Sequence, residues 1–427
     1  MTERESPMVT REPRSARPRT FSPPHEVAPG VFLHAAFVNT YALRTSEGLA
    51  LVDPGFAHTS KALEEVVRRW SDSPLRTAIY THGHTDHAFG LRSFLESGER
   101  PVILAQENCP KRFARYHLTN GWNARINQRQ FSLPAPVFPD RFDWPTLTFR
   151  DSLVHSMGDT TLVLRAAKGE TDDHCWVYVP ERGYLFSGDL VIWNAPNCGN
   201  PQKVQRYPSE WADALEEMAA LDAEWLFPGH GLVVHGKAAV RELLCNTARY
   251  LRHLCREVLE RMNRGETPEA IFHAVEPDPE LAALPYLQPA YDHPKFIVRN
   301  LLRLWGGWWN GNAADLLPAT FEAQAREVVT LAGGVATLAL RGRELLEDGN
   351  LALAAHLAEW ATRADPSDRS AQELKRDVYE RRLANEPSLM GKGIYRAAAN
   401  DARQALGEPA LPAQLRISFG APEGGGD

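Results

Sequence analysis

The chain has 427 residues, 43% of them hydrophobic, so it can bury a sizeable core divided over two or three domains. A formal net charge of −7 argues against nucleic acid or an anionic membrane as a partner and leaves a small-molecule substrate as the expectation. Five cysteines at irregular spacing favour a reducing compartment, and no apolar run is long enough to span a bilayer, so we expect a cytoplasmic protein.

The N-terminal residues 1–27 are predicted to form a disordered tail, because they are rich in Arg, Pro, Ser and Glu and lack the apolar core of a signal peptide. Short apolar segments separated by turn residues then predict strands at 31–34, 39–43 and 49–52. Apolar residues at helical spacing predict a helix at 59–70.

The segment 75–80 predicts a further strand, and directly after it four metal-binding side chains fall within six residues: His82, His84, Asp86 and His87. Imidazole and carboxylate groups bind divalent ions such as Zn²⁺. His82 and His84, two residues apart, can reach one ion where an extended chain unwinds, whereas the adjacent Asp86 and His87 diverge toward a second. The run therefore predicts two divalent metal ions, with Zn²⁺ the expected metal. The alternative is a surface histidine cluster without an ion.

Alternating strands and helices continue to about residue 186, which predicts two sheets flanked by helices. A four-layer αββα sandwich that carries His-x-His-x-Asp-His at a strand end resembles the metallo-β-lactamase superfamily, here over residues 28–238. The resemblance implies an α+β fold and two more ligands. Asp189, in Phe-Ser-Gly-Asp, would bridge the two ions, and His230, in Pro-Gly-His-Gly, would bind the second.

The remaining ligand departs from the common superfamily pattern. Where most members have Gly-His-Thr, this chain has Gly-Glu-Thr, which makes Glu170 the predicted ligand of the first ion and His174 the alternative. Asp53 ends the predicted strand 49–52, and the resemblance implies that it lies behind a ligating histidine and orients the imidazole. An Asx turn before Pro54 is the other interpretation of Asp53.

Beyond residue 238 the pattern becomes helical, and we predict an all-α domain over 239–412 followed by a flexible tail over 413–427. The stretch from Trp305 to Asn312, Trp-Gly-Gly-Trp-Trp-Asn-Gly-Asn, and the paired helices of 340–366 resemble the helical dimerisation domain of alkyl sulfatases. That group is also similar in using glutamate for the third histidine, although its bridging ligand is glutamate rather than aspartate. The resemblance implies a homodimer, against an alternative in which these helices only cap the catalytic domain.

The residues after the bridging aspartate are predicted to line the substrate site by chain continuity, and a second candidate segment lies at 116–131. The predicted substrate-binding residues are Asn194, Asn197, Lys203, Arg206 and Arg129. Among them, Arg206 is the candidate for gripping an oxyanion bidentately. Solvated loops with structural asparagines are the alternative interpretation of both segments.

Two ions that share a water predict hydrolysis, with Asp86 or Asp189 accepting the proton of the water. The leading hypothesis is a dinuclear metal hydrolase that cleaves a sulfate ester. The second keeps the same metal site for an acyl bond, as in a lactonase, thioesterase or β-lactamase-like enzyme. The third is a non-enzymatic metal-bound scaffold, which is disfavoured because structural zinc sites are normally closed.

Overall fold

A computed structural model describes residues 6–412, which form two compact units. The first unit contains residues 6–120 and 139–311, and the second contains residues 121–138 and 312–412. Within residues 6–412, no helix combines the length and the hydropathy that crossing a bilayer requires.

Two seven-stranded sheets form the centre of the first unit. In spatial order, the first sheet contains β1 (Val9–Thr10), β14 (Val233–His235), β13 (Trp225–Pro228), β12 (Tyr184–Gly188), β11 (His174–Val179), β10 (Thr160–Ala167) and β9 (Ser152–Met157). The second contains β2 (His25–Ala28), β3 (Val31–Ala35), β4 (Asn39–Thr45), β5 (Gly48–Val52), β6 (Leu75–Ile79), β7 (Val102–Gln106) and β8 (Leu147–Phe149). In both sheets the strands that carry the site lie away from the edges.

Helices cover the outer faces of these sheets. The helices of the first unit are α1 (Ser60–Trp70), α2 (Arg92–Glu96), α3 (Cys109–Leu118), α5 (Pro208–Ala219), α6 (Lys237–Asn263), α7 (Pro268–Ala274), α8 (Pro279–Ala282) and α9 (Pro294–Gly306). Helix α1 buries Leu63 and Val67 and stacks Trp70 on Phe32 of β3. Helix α6 packs on β13 and β14, and α5 packs on β10. The unit is therefore a four-layer αββα sandwich.

One apolar core fills the space between the sheets, because strands covered on both sides bury both of their faces. Every residue of β5 and of β12 is buried. The core joins side chains of the second sheet to those of the first, among them Leu43, Val52, Ile79, Leu164, Val177 and Phe186. Burial of this interface holds the strand ends that carry the site in fixed register.

The N-terminal segment is ordered over residues 6–27, which corrects the predicted disordered tail there. Strand β1 pairs in parallel with β14, and the N–H of Val233 donates to the carbonyl of Met8 at 2.8 Å. The side chain of Met8 is fully buried in the core. A two-residue strand anchored by one apolar side chain leaves no periodic pattern in the sequence. Residues 1–5 lie outside the described part of the chain.

The second unit consists of helices: α4 (Asn120–Phe131, of which Asn120 belongs to the first unit), α10 (Phe321–Ala332), α11 (Val335–Glu347), α12 (Leu351–Ala364), α13 (Arg369–Asn385) and α14 (Leu389–Leu406). Small residues allow close packing: a Cβ at Gly393 of α14 would lie 2.8 Å from the carbonyl oxygen of Arg129 in α4. The predicted tail 413–427 lies outside the described residues.

The compact division differs from the predicted domain boundary between residues 238 and 239. The first unit continues through Gly311, because the apolar face of α6, including Leu243 and Leu251, joins the core of the sandwich. Helix α4 lies within the predicted catalytic segment, but all of its residues except Asn120 belong to the second unit. Helical periodicity shows where helices occur, but it does not show which core each apolar face joins.

Candidate metal centre

The candidate site lies at the ends of three strands. His82 follows β6 by three residues, Asp189 directly follows β12, and His230 follows β13 by two residues. Strands β12 and β13 pair in parallel, so their carboxyl ends meet at one edge of the first sheet. The structure thus brings together side chains that lie far apart in the sequence, such as His82 and His230, which are separated by 148 positions.

The first group of ligand atoms lies within 4.8 Å of one another and comes from His82, His84, Glu170 and Asp189. The Nε2 atom of His82 is 2.8 Å from Nδ1 of His84 and 3.9 Å from Oδ2 of Asp189. Nδ1 of His84 is 3.7 Å from Oε1 of Glu170. Two nitrogens and two carboxylates that converge in this way fit a divalent cation.

The second group contains Asp86, His87 and His230, also within 4.8 Å. Oδ2 of Asp86 lies 3.5 Å from Nε2 of His87 and 3.6 Å from Nε2 of His230. Oδ1 of Asp189 lies 3.2 Å and 3.3 Å from the same two nitrogens. The Asp189 carboxylate therefore directs one oxygen to each group, which is the arrangement expected of a bridging ligand.

Several buried atoms of these ligand residues have no hydrogen-bond partner within residues 6–412: His87 Nε2, Glu170 Oε2 and Asp189 Oδ1. Buried polar atoms are almost always paired, so orphaned lone pairs at one place indicate a missing partner. Gly229 keeps this place open, because a Cβ there would lie 2.2 Å from Oδ1 of Asp189. The donor set and the orphaned atoms fit divalent metal ions.

The electrostatics of the site agree with this interpretation. Burial, together with the neighbouring imidazoles, lowers the pKa of His82 well below its ordinary value, so the ring keeps a free lone pair. Burial opposes ionisation of Asp189, but His87 and His230 hold its pKa well below the ordinary value. Burial opposes protonation of His87, yet the surrounding carboxylates raise its pKa well above 6.5. The second group thus favours a positive charge among its carboxylates.

Asp53 lies behind the second group. Its Oδ2 accepts from Nδ1 of His87 at 2.8 Å and from the hydroxyl of Thr81 at 2.7 Å, and its Oδ1 accepts from the N–H of Thr81 at 2.8 Å. Nδ1 of His230 is held by the carbonyl of Phe37 at 2.6 Å. Each acceptor fixes its imidazole with Nδ1 protonated and Nε2 turned toward the cluster.

A buried ion pair that the sequence did not reveal holds the loop between His82 and His84. Oδ2 of Asp173 accepts from the N–H of Gly83 at 2.8 Å, and Oδ1 accepts from Nε of Arg112 at 2.7 Å. In the sequence, Asp173 lies next to His174 in a polar segment, which indicates only weakly that it belongs to the site. Nothing in the sequence around Arg112 indicates that it pairs with Asp173. A Cβ at Gly83 would lie 2.9 Å from both partners.

The geometry favours Glu170 over His174 as the third ligand of the first group. Nε2 of His174 accepts the N–H of Asp189 at 3.1 Å, and the ring stacks on His82 with centroids 4.8 Å apart. Its lone pair is therefore already used to place the bridging residue. Burial raises the pKa of Glu170 to about 8, although Arg206 opposes this shift. The ligand assignment itself stays a prediction.

The five predicted substrate-binding residues have different surroundings. Asn194 donates to the carbonyl of Ile192 at 3.2 Å, and Lys203 is half-buried, where burial and then Arg206 lower its pKa to about 8. Arg129 lies on α4 in the second unit, where burial raises the pKa of Asp401 and the charges of Lys375 and Arg129 oppose this rise. The remaining two, Asn197 and Arg206, both donate to Oε1 of Glu170. Their roles toward a substrate stay predictions.

Comparison with protein families gives two matches. Residues 35–230 match the model described as "Metallo-beta-lactamase superfamily", and residues 267–405 match the model described as "Alkyl sulfatase dimerisation". The two matched segments occur in the order that the sequence predicts.

Relatives extend across both segments. A linear primary-alkylsulfatase of Pseudomonas sp. (strain ATCC 19151) is 27% identical over 405 residues, which cover 88% of this chain and 76% of that protein. An (R)-specific secondary-alkylsulfatase of Pseudomonas sp. is 23% identical over 399 residues, 86% of this chain and 60% of that protein. This chain thus spans less than two thirds of the length of the second relative.

The solved structure of the stereoselective inverting sec-alkylsulfatase Pisa1 from Pseudomonas sp. has a TM-score of 0.81, with 21% identity, and covers 90% of this chain and 66% of that one. This likeness confirms the predicted fold, a metallo-β-lactamase sandwich followed by a helical domain.

Proposed function

Because the chain combines a metallo-β-lactamase superfamily domain with an alkyl sulfatase dimerisation domain, we propose that it is a metal-dependent hydrolase of sulfate esters that uses a metal-activated water. The observation that carries the proposal is the pair of ligand groups sharing Asp189, found in a chain whose relatives along most of its length are alkylsulfatases. When bound, two ions supply a water that ionises near neutral pH and charge that stabilises the ester oxygens.

The residues of this chain divide the remaining work. His82, His84 and Glu170 would hold one ion, Asp86, His87 and His230 would hold the other, and the Asp189 carboxylate would serve both groups. Oδ2 of Asp86 accepts the proton of the attacking water, with Asp189 as the alternative acceptor. Asp86 suits the role because its side chain keeps 16% of its surface exposed, against 7% for Asp189. Lys203 binds the oxyanion of the substrate at the rim.

The proposed metal is Zn²⁺. Four histidines with three carboxylates form a mixed nitrogen and oxygen donor set, which suits zinc better than magnesium or calcium, since those ions prefer oxygen ligands alone. Asp189 and Glu170 supply the oxygen donors of the first group, and Asp86 and Asp189 supply those of the second.

The acyl-bond alternative is not favoured. Relatives with β-lactamase names match less than half of this chain, as does the metallo-beta-lactamase type 2 of Bacillus sp. (strain 170), which is 26% identical over 201 residues, 46% of this chain. The alkylsulfatases match 86–88% of it.

We also propose that the protein is a cytoplasmic homodimer that associates through its helical domain. The match over 267–405 supports association, and exposed leucines on the helical unit, among them Leu317 and Leu331, provide apolar surface for it. All five cysteines are free thiols, which is consistent with a reducing compartment. Light scattering on the purified chain tests the dimer, and a monomeric mass at micromolar concentration would contradict it.

The function is tested with purified full-length protein. We expect two equivalents of divalent metal and release of inorganic sulfate from alkyl sulfate esters, lost on chelation and restored by added metal. Phosphodiesters, lactones and thioesters serve as comparison substrates. If two equivalents are present and every sulfate ester is inert while a lactone or thioester is hydrolysed, the sulfatase proposal is wrong and the acyl alternative replaces it.

A further inference from the structure

Arg206 is buried against the proposed ligand Glu170 instead of facing open space. Its Nη1 donates to Oε1 of Glu170 and to the carbonyl of Asn197, and both charged side chains are 3% exposed. The amide of Asn197 donates to the same Oε1 atom. The other carboxylate oxygen, Oε2, is buried and has no hydrogen-bond partner among residues 6–412.

This pattern divides the two oxygens of Glu170 between two tasks. Oε1 accepts from a charged and a neutral donor, whereas Oε2 keeps its lone pairs for another partner. A carboxylate held by two donors keeps one orientation, so its oxygens meet a cation in a fixed geometry. If Arg206 moved to grip a substrate, it would leave the buried Glu170 charge without its cationic partner, which is costly at such a site.

The backbone around Arg206 is also held in place. The amide of Asn300, on α9, donates to the carbonyl of Arg206 at 3.0 Å, and the N–H of Arg206 donates to Oδ1 of Asn300 at 3.4 Å. Upstream in the same loop, Oδ2 of Asp292 accepts from the N–H of Gly199 at 2.6 Å and from that of Asn200 at 3.2 Å. The loop that carries Asn197 and Arg206 is therefore anchored before any ligand binds.

We propose that Arg206 and Asn197 are positioning residues for the metal ligand Glu170, and that Arg206 does not grip the oxyanion of the substrate. The two side chains hold the Glu170 carboxylate through Oε1, the oxygen that lies 3.7 Å from Nδ1 of His84, and so fix how the carboxylate faces the first group. The inference rests on the proposed metal site, but it does not depend on which ester is cleaved. It replaces the role that the sequence predicts for Arg206.

The two roles of Arg206 lead to different measurements. A positioning residue affects binding of the metal in the absence of substrate, whereas an oxyanion grip affects KM for a charged ester and leaves metal binding unchanged. The variant Arg206→Met removes the donors and keeps much of the bulk. Asn197→Ala removes one neutral donor only, and it provides a milder second variant in case Arg206→Met does not fold.

The experiment is titration of chelator-treated full-length protein with Co²⁺ against a chromophoric chelator, with the visible spectrum recorded at each step. We expect Arg206→Met to weaken one of the two Co²⁺ sites by roughly 10- to 100-fold, with a smaller loss for Asn197→Ala. With saturating metal, KM for a sulfate ester stays near its native value. The matched control is Arg68→Met, which removes an arginine that pairs with Glu99 away from the site in the same unit and leaves both Co²⁺ affinities unchanged.

Native Co²⁺ affinity at both sites in folded Arg206→Met protein would overturn the proposal. A raised KM for the sulfate ester in that variant would instead support the role in which Arg206 binds the oxyanion of the substrate. Because the titration contains no substrate, its result stands even if every sulfate ester proves inert. Conversely, sulfatase activity with unchanged Co²⁺ binding in both variants would leave the proposed function intact and refute only the positioning role.

Discussion

Replacing Asp53 by Asn tests how the second ligand group is oriented. Asp53 is buried and has a φ of 52°, a left-handed conformation that Asn adopts as readily as Asp, so the substitution adds no backbone strain. It changes one acceptor oxygen into an NH₂ group. The native carboxylate receives three hydrogen bonds, two from Thr81 and one from His87, and donates none.

Either orientation of the new amide places a donor against a donor. If the NH₂ group faces the N–H of Thr81, a buried donor loses its acceptor, which costs about 1–3 kcal/mol. If it faces His87, Nδ1 must become an acceptor and the ring proton moves to Nε2. That nitrogen would then point its hydrogen at Oδ1 of Asp189, 3.2 Å away, with no lone pair left for a metal.

We therefore expect Asp53→Asn to weaken metal binding at the second group by roughly 10- to 100-fold, equivalent to about 1.4–2.7 kcal/mol. The assay is equilibrium titration with Co²⁺, combined with thermal unfolding in the presence and absence of chelator. The metal-dependent part of the stability should shrink while the chelated protein still unfolds cooperatively. Asp159→Asn is the control, because Asp159 is an exposed carboxylate that also accepts a backbone N–H, from Ser46 at 3.0 Å.

If Asp53→Asn binds two equivalents of Co²⁺ with native affinity, the tautomer of His87 is not set by Asp53. In that case the Asx-turn interpretation of Asp53 would account for its position. If the control variant loses metal to the same extent, the effect is a general response to removing a carboxylate, and the argument from hydrogen-bond geometry fails.

Three further predictions concern the support of the site. Gly229→Ala should displace Asp189, since the new Cβ would lie 2.2 Å from Oδ1, and a metal count that stays at two would contradict its bridging role. Asp173→Ala should lower the free energy of unfolding, measured in urea, by about 2–5 kcal/mol, because the N–H of Gly83 and the Arg112 guanidinium lose a buried acceptor. An unchanged free energy of unfolding would argue against that ion pair. Chelation should lower the Tm, because an ion that binds only the folded chain stabilises it by about 2.7 kcal/mol when the free ion concentration is 100 times Kd. An unchanged Tm would mean that no ion is bound.

Much of the site was accessible from the sequence because its chemistry is local. The run His82 to His87 places four metal-binding side chains within six residues at a strand end, and no packing requirement explains so many. Asp189 and His230 followed from the resemblance, since each lies in a short Gly-containing turn after an apolar strand. The strands themselves were predictable because a half-buried or fully buried strand leaves a pattern of period two or a continuous apolar run.

What the sequence determined by itself was the inventory of donors, the order of strands and helices, and the resemblance that joins a metal-binding sandwich to a helical domain. Only the tertiary structure decided how distant groups pair. The sequence predicts that Arg206 is available to bind an oxyanion, whereas the fold buries it against Glu170. It places Met8 in a disordered tail, whereas the side chain of Met8 is buried in the core. It predicts that Arg129 lines the substrate site, whereas Arg129 belongs to the second unit. The physical reason is that a buried charge or apolar side chain takes its partner from whichever segment the strand register brings within a few ångströms, and no local pattern in the sequence records that choice.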